Sequence, residues 1–314
     1  MRQYVLKRLL LVVPTLLLVS AIVFSLTRLI PGDIVVLMFE EKAYAEDLEA
    51  LRTKLGLNRP IYVQYGVWLG QVAQGNLGES LWTKRPVLEE IARRLPVSLE
   101  LGAMAIGFGL CLALPIGVLA AIRQDTLKDY AARSLAIMGL SLPGFWKATI
   151  IIVFASIWFG WAPPLQFTPF TQGPWQHVSQ FLLPAILLAF ASSASIMRLT
   201  RALMLEVLRQ DYIRTAWAKG MRERRVVVKH ALKNAVIPVV TIIGIEIGQV
   251  AGGTVVFETI FGLPGMGRFM LDAINQRDYP VVQGVNLLLA TIIVLVNLLV
   301  DMTYAYLDPR IRYR

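Results

Sequence analysis

Six long apolar stretches divide this chain of 314 residues. A helix that crosses the hydrocarbon core of a bilayer needs about 20 mostly apolar residues, and each stretch meets or approaches that length. Because 56% of the residues are hydrophobic and only 17% are charged, the composition excludes an ordinary soluble domain. The predicted fold is an all-α polytopic membrane protein with spans over residues 9–29, 99–122, 135–159, 181–199, 236–257 and 281–306.

The charges of the connecting segments predict the orientation. The N-terminus, the segments 123–134 and 200–235 and the tail 307–314 are basic, whereas the segment 160–180 has no Lys, Arg, Asp or Glu. Basic segments stay in the cytoplasm, so both termini are predicted to be cytoplasmic. The first span continues into "RLIPGD" rather than a cleavage site of small residues, which predicts a retained signal anchor.

These assignments divide the chain into four parts. Residues 1–30 form the first span, 31–98 an external loop with an acidic first half, 99–306 a core of five helices, and 307–314 a cytoplasmic tail. Within the external loop, "RPVLEEIARRLPVSLEL" has Leu88, Ile91 and Leu95 at helical spacing. This pattern predicts a short amphipathic helix before the second span, lying along the membrane surface or at the outer mouth of the protein.

The residues that catalysis would need are missing from the sequence. There is no G-x-x-x-x-G-K-[ST] nucleotide loop, and "FGLPGMG" at 261–267 lacks the lysine and falls on the outer side, which favours a turn. The single cysteine and the two distant histidines, His177 and His230, do not suggest a zinc site. The net charge of +10 is explained by cytoplasmic loops, so no nucleic acid is expected. A transporter with this sequence must draw energy from a partner or an ion gradient.

A basic, helix-patterned insert separates the fourth and fifth spans. Asp211 can cap the start of a short helix, Gly220 can end it in the left-handed conformation, and a second helix over about 224–235 leads into span five. Ile213, Ala216 and Trp217 share one face of the first helix. Small residues there favour close packing by another protein, although a loop meeting anionic lipid headgroups is the alternative.

This insert resembles a known signature. "DYIRTAWAKG…HALKNAVIP" is similar to the cytoplasmic loop of bacterial ABC-importer permeases, whose general form is Glu-Ala-Ala, three residues, then Gly. Arg214-Thr215-Ala216 occupy the first three places, and Arg in place of Glu is typical of the oligopeptide/dipeptide branch. Pro238 resembles the downstream proline of the motif, at a longer spacing than the general form.

Further stretches resemble the same branch in the same order. They are "RLIPGD" (28–33), where Ile34 stands in place of the usual proline, "SLPGFW" (141–146), "FETIFGLPGMGRFMLDAINQRDYPVVQG" (257–284) and "VDMTYAYLDPRIRYR" (300–314). The resemblance covers nearly the whole chain. It implies a permease of the oligopeptide/dipeptide-type ABC importer family, multi-pass in the bacterial inner membrane.

The resemblance also implies roles and partners. The helix 211–220 would be the coupling helix that lies in a groove of an ATPase subunit. Its residues would be Asp211, Tyr212, Ile213, Arg214, Thr215, Ala216, Trp217, Ala218, Lys219 and Gly220, with Arg222 and Arg224 beside it. The expected partners are a second homologous permease in a heterodimer, two ATPase subunits, an external substrate-binding protein and the lipid bilayer. ATP and magnesium would bind to the ATPases, and no cofactor to this chain. Di- or oligopeptides are the expected cargo, while relatives that carry nickel, glutathione or oligosaccharides leave those alternatives open.

Charges and glycines inside the spans provide further candidates. Lys147 and Glu246 lie at similar predicted depths in spans three and five, so they form an internal ion pair or, with Gln249, line the translocation path. In an ion-coupled secondary carrier, the competing hypothesis, Lys147 and Glu246 would be the coupling site. Gly244, Gly248 and Gly252 form a ridge that allows another helix of this chain or of a second permease to approach closely.

Overall fold

The structure is a computed structural model that describes residues 2–29, 53, 58–164 and 166–307. Within these ranges the regular secondary structure is helical, apart from one isolated bridge between Glu79 and Pro86. The helices are α1 (Arg2–Leu29), α2 (Ile61–Ala73), α3 (Val87–Ile122), α4 (Leu127–Ser141), α5 (Gly144–Phe159), α6 (Pro174–Leu208), α7 (Asp211–Ala218), α8 (Glu223–Arg225), a π-helical segment (Val226–Leu232), α9 (Lys233–Ile260), α10 (Met266–Asn275) and α11 (Tyr279–Leu307).

The length and composition of the helices support the predicted spans. Among the described residues, four single helices are long and apolar enough to cross a membrane, and they belong to α1, α3, α6 and α11. Two bent pairs pass the same test, and the predicted six is reached when each bent pair is counted as one span. The predicted all-α polytopic fold is therefore confirmed.

The third predicted span is broken rather than continuous. Helix α4 ends at Ser141, Leu142 is extended, and Pro143 precedes α5, which is bent from α4 by 93°. Proline has no N–H to donate and disfavours the helical conformation of the residue before it. The sequence "SLPG" therefore separates two helices that the hydropathy pattern merges into one.

The predicted short amphipathic helix is wrong as a separate element. Residues from Val87 onward form the first turns of α3, which continues without a break to Ile122. The side chains of Val87, Glu90 and Ile91 are buried in this region, whereas Leu88 is exposed. The buried face thus includes Glu90 and excludes Leu88, unlike the predicted one. Glu90 can be buried because its carboxylate pairs with Arg94.

The chain contains two compact units, and the first comprises Met1–Pro96 and Arg268–Leu295. In this unit α1 packs on α2 through the rings of Phe24 and Tyr65, 5.5 Å apart. The segment before α3 is joined to the segment before α11, because Asp278 accepts hydrogen bonds from Ser80 Oγ at 2.5 Å and from the Leu81 N–H at 3.1 Å. Two segments predicted to lie outside the membrane are thus fixed to each other.

The second unit comprises Val97–Gly267 and Val296–Arg314. Its helices approach closely where small residues allow it. A Cβ atom added at Gly117 of α3 would lie 2.8 Å from the carbonyl oxygen of Met197 and 2.9 Å from Cβ of Thr200, both on α6. The lack of a side chain at Gly117 therefore sets the distance between α3 and α6.

We expect Gly117→Ala to destabilise the protein by about 1–3 kcal/mol, because the added methyl group overpacks a backbone contact. Gly107→Ala is the matched control, since Gly107 lies in the same helix and a Cβ there meets nothing within 4 Å. Thermal unfolding in detergent measures both variants. Equal effects of the two substitutions would contradict the role of the α3–α6 contact.

Candidate functional site

The basic insert folds as the sequence predicts, as a short helix followed by a glycine turn. Helix α7 runs over Asp211–Ala218, and Gly220 has φ +72°, in the left-handed region. The Gly220 N–H donates to the Trp217 carbonyl at 2.9 Å, which closes the turn. Glycine adopts this conformation at the least cost, so the predicted helix stop is confirmed.

The predicted capping role of Asp211 is wrong. Gln210 occupies the position before the helix, and Asp211 is the first helical residue, with no capping hydrogen bond from a side chain. The Asp211 carboxylate instead accepts a hydrogen bond from Arg214 at 3.3 Å. Its negative charge still suits the positive end of the helix dipole.

One face of α7 packs against its own chain. Ile213 is fully buried and Ala216 nearly so, and they belong to one apolar cluster with side chains from four other segments. These other members are Ala121 of α3, Met204 of α6, Val226, Val227 and Ala231 of the π-helical segment, and Ala235 of α9. We call this cluster the pedestal of α7. The small residue at 216 therefore allows close packing within this chain.

The predicted face of Ile213, Ala216 and Trp217 is divided between two environments. Trp217 is 44% exposed, whereas Ile213 is 0% exposed. The outward surface of α7 consists of Asp211, Tyr212, Arg214, Thr215, Trp217 and Ala218, continued by Lys219 and Gly220. Tyr212 is also fixed by α9, since Asn234 Nδ2 donates to its hydroxyl at 2.9 Å. A partner that grips α7 must use this outward surface.

A basic groove lies directly after α7. It has a volume of about 740 Å³ and is lined by Lys219, Gly220, Met221, Arg222, Arg224, Arg225, Val228 and Lys229. Five of these eight side chains are cationic and none is acidic. Arg222 and Arg224 were predicted to flank the coupling helix, and Arg225 and Lys229 are additions. Arg225 lies in α8 and Lys229 in the π-helical segment, so the chain after the turn at Gly220 brings both to the same groove. The count of charges alone does not indicate this.

The link from α7 to the fifth span is helical but irregular. Helix α8 leads into the π-helical segment Val226–Leu232, which continues as α9. A second bend of 52° separates residues 223–236 from 238–248, at Pro238. The predicted second helix over about 224–235 is therefore present, although its middle has π-helical hydrogen bonding. Such segments are frequently found at functional sites.

Lys147 and Glu246 do not form the predicted ion pair. Lys147 Nζ donates to the Gly139 carbonyl at 3.0 Å and lies 5.4 Å from the centre of the Phe190 ring. Glu246 is 9% exposed and accepts a hydrogen bond from Ser192 Oγ at 2.6 Å. Equal depth along two helices does not make two side chains face each other, because each helix can be rotated about its axis.

The predicted glycine ridge has a partner at one position within this chain. A Cβ atom added at Gly244 would collide with the side chain of Val300 on α11. The close approach at this glycine is thus made by the last helix of the same chain, one of the two partners expected. The expected roles of Gln249 and Gly252 fall outside the side chains that the structure describes, and that of Gly248 stays a prediction.

The glycine cluster 262–267 is a packed turn, as predicted. Gly262 has φ +70°, and a Cβ at Gly267 would lie 2.6 Å from Cα of Val255. Gly265 lies against the buried carboxylate of Glu258, which accepts a hydrogen bond from Ser98 Oγ at 2.6 Å. The three glycines therefore serve the turn and its packing, and Gly265 makes room for the buried acid.

A second, partly buried polar cluster surrounds His177 at the start of α6. His177 Nε2 lies 2.9 and 3.0 Å from the two carboxylate oxygens of Glu100, and Nδ1 lies 2.8 Å from the Thr168 carbonyl. The carbonyl can only accept a hydrogen bond, so Nδ1 donates. His177 thereby joins the segment before α6 to α3, a role that isolated histidines in a sequence do not reveal.

We expect Ile213→Ala to loosen α7 from its pedestal. Truncating a fully buried isoleucine costs about 2–5 kcal/mol, which raises the open population by more than about tenfold. Trypsin should then cleave faster at Arg214 and Lys219, as followed by mass spectrometry of the fragments. Thr215→Ala is the matched control on the exposed face. Equal cleavage of both variants would show that Ile213 does not hold the helix.

Comparison with known proteins identifies the family of this fold and insert. Residues 113–313 match the family described as the binding-protein-dependent transport system inner membrane component, and residues 1–102 match the N-terminal part of such membrane components. The chain is 41% identical over 338 residues to the dipeptide transport system permease protein DppB of Escherichia coli strain K12. It is 42% identical over 336 residues to the di/tripeptide transport system permease protein DppB of Pseudomonas aeruginosa strain UCBPP-PA14. Both alignments cover 100% of each chain.

Solved structures agree on the fold. One is an inward-facing form of the MetNI methionine ABC transporter, with a TM-score of 0.57 and 18% identity over 70% of this chain and 96% of that chain. Another is an amino acid ABC transporter with histidines, with a TM-score of 0.52 and 16% identity over 76% of this chain and 98% of that chain. These findings decide against the ion-coupled carrier. The chain belongs to the inner-membrane components of binding-protein-dependent transport systems and is the non-catalytic permease subunit of an ABC importer.

Proposed function

We propose that this permease forms part of the membrane path through which an importer carries di- or oligopeptides into the cell. The observation that carries the proposal is the full-length likeness to relatives named as dipeptide and di/tripeptide permeases, at 41% and 42% identity. The cargo would be delivered by a substrate-binding protein outside the membrane. Nickel, glutathione and oligosaccharides are the competing cargoes.

The outward surface of α7 is the proposed docking site for an ATPase subunit. Because the pedestal buries Ile213 and Ala216, the ATPase would contact the other face, where Tyr212, Arg214 and Trp217 have the largest side chains. Arg222 and Arg224, in the basic groove, would face acidic or polar groups of the same subunit. ATP and magnesium would be bound by two such ATPases.

The pedestal explains how movement of α7 would reach the membrane. It joins α7 to Met204 near the end of α6 and to Val226, Val227 and Ala231 before α9. A docked ATPase that displaces α7 would therefore pull on spans four and five together. The work of ATP hydrolysis would thus enter this chain through residues 211–220.

The remaining partners follow from the proposed orientation, with both termini in the cytoplasm. The external loop 31–98 and the segment before α11 would receive the binding protein. Asp278 of that segment accepts hydrogen bonds from Ser80 and Leu81 of the loop and so joins the two at this point. A second, homologous permease would complete the path as a heterodimer.

Polar side chains within the spans are the proposed lining of the path. Glu246 with Ser192 and Lys147 with the Gly139 carbonyl place polar groups inside the second unit, and Gln249 is proposed from its position alone. Intramembrane charges of this kind usually face a bundle interior or a wet cavity.

Replacing Gly220 tests the docking site. Gly220→Val should lower ATPase co-purification and ATP-driven uptake, because a β-branched residue at φ +72° distorts the exit of α7. Gly160→Val is the matched control, since Gly160 has φ +62°, and neither glycine has an atom within 4 Å of an added Cβ. Both variants carry a strain of about 1–2 kcal/mol. Normal uptake in Gly220→Val, or equal loss in both variants, would contradict the proposal.

Uptake by the reconstituted importer tests the cargo. Proteoliposomes with both permeases, the ATPases and the binding protein should accumulate a labelled dipeptide only when ATP is inside. Excess unlabelled di- or oligopeptide should compete, whereas nickel, glutathione and oligosaccharide should not. Competition by one of these three alone would reassign the cargo, and uptake without the ATPases would overturn the importer mechanism.

A further inference from the structure

We infer that the ion pair between Asp129 and Arg201 is a positioning element that makes α4, the first half of the broken third span, move together with α7. The inference rests on the proposed function, since it takes the ATPase to act on α7. It adds α4 to the helices that the pedestal connects, which are α3, α6 and α9. Asp129 and Arg201 are positioning residues, because they act through the helices that carry them.

The ion pair is buried and has two parallel hydrogen bonds. Arg201 Nε donates to Asp129 Oδ1 and Arg201 NH2 to Asp129 Oδ2, both at 2.7 Å. The Asp129 side chain is 0% exposed and that of Arg201 is 18% exposed. The Asp125 N–H donates to Asp129 at 3.1 Å, and the Arg133 guanidinium lies 3.4 Å from the same carboxylate. This arrangement fixes both the distance and the angle between α4 and α6.

A second contact fixes the other end of α4. A Cβ atom added at Gly139 would lie 3.2 Å from the carbonyl oxygen and the ring of Phe190 on α6. From Asp129 to Gly139 is ten residues along α4, and from Arg201 back to Phe190 is eleven along α6. The two helices therefore run antiparallel in constant register over about 15 Å, and α4 is held to α6 at both ends.

The same part of α6 is joined to the docking helix. Met204 lies three residues after Arg201, is fully buried, and belongs to the pedestal that contains Ile213 of α7. Only Arg209 and Gln210 separate the end of α6 from α7, and the Gln210 N–H donates to the Val207 carbonyl at 3.1 Å. A displacement of α7 is thus passed to Met204, to Arg201 and across the ion pair to α4.

An ion pair serves this purpose better than an apolar contact. Burying two charges costs desolvation energy, so a buried pair adds little stability over apolar residues of similar size, and its best-attested use is to fix register. Apolar side chains can slide past one another with small changes in energy, whereas two parallel hydrogen bonds cannot. The pair therefore keeps α4 from slipping along α6 when α7 is pulled.

Movement of α4 would change the bend between α4 and α5, at the break of the third span. Helix α4 ends at Ser141, and α5 begins at Gly144 after a bend of 93°. Lys147 of α5 reaches back to the Gly139 carbonyl at 3.0 Å. The bend, rather than the α4–α6 contact, is the point at which the third span changes shape.

The test replaces the ion pair with an apolar pair in the assembled importer. Asp129→Leu combined with Arg201→Met removes both charges at similar volume, so folding and ATPase co-purification should be kept. The amount of labelled dipeptide transported per ATP hydrolysed should fall at least about fivefold. The control combines Lys128→Met with Arg198→Met, which removes two charges from exposed positions of the same two helices. If the pair were only structural, both double variants would transport with parental efficiency, and that result would overturn the inference.

Distances between spin labels test the movement directly. All variants carry Cys111→Ser. Labels at Lys128→Cys and Arg209→Cys measure the distance between α4 and α6. Labels at Phe159→Cys and Arg209→Cys measure the distance between α5 and α6. The first distance should be the same without nucleotide and with ATP trapped, while the second changes. In Asp129→Leu/Arg201→Met the first distance should also change. A change of the first distance in the parent would overturn the inference, whereas loss of ATPase co-purification in the parent would overturn the proposed function instead.

Discussion

Every backbone N–H and C=O group inside a bilayer needs a partner within the protein, because the hydrocarbon offers none. This constraint explains why the spanning segments are helical and why the break in the third span needs help from a side chain. The carbonyl of Gly139 lies in the last turn of α4, where helical carbonyls have no partner in their own helix. Lys147 donates to it at 3.0 Å. The lysine that was predicted to form an ion pair thus provides a hydrogen-bond partner for a carbonyl next to the break at Pro143.

In the proposed function, the two faces of α7 contact different proteins. The pedestal determines where the helix lies in this chain, and the outward surface and the basic groove would contact the ATPase subunit. A docking helix without such a pedestal would yield to the ATPase instead of transmitting force. Under that proposal, the buried side chains Ile213 and Met204 would matter for coupling as much as the exposed ones.

The sequence predicts the architecture well and the contacts poorly. Hydropathy located the spans, and Gly220 located the end of α7, because length and backbone conformation are local properties. The face that α7 buries could not be predicted, since its partners Met204 and Val227 are set by tertiary packing. The break at Pro143 was predictable from the restriction that proline imposes on Leu142, but the strong hydropathy of the region concealed it. The Asp129–Arg201 pair joins residues that are 72 positions apart, and no local pattern connects them.

The π-helical segment Val226–Leu232 has a consequence for the rotation of the fifth span. In π-helical bonding each N–H reaches back five residues instead of four. Were this segment to return to the α-helical pattern, the residues after it would advance by one position, a turn of about 100° about the helix axis. Side chains such as that of Glu246 would then face a different neighbour without any break in the helix. The π-helical segment thus allows the rest of the fifth span to rotate about its axis, which a regular α-helix does not.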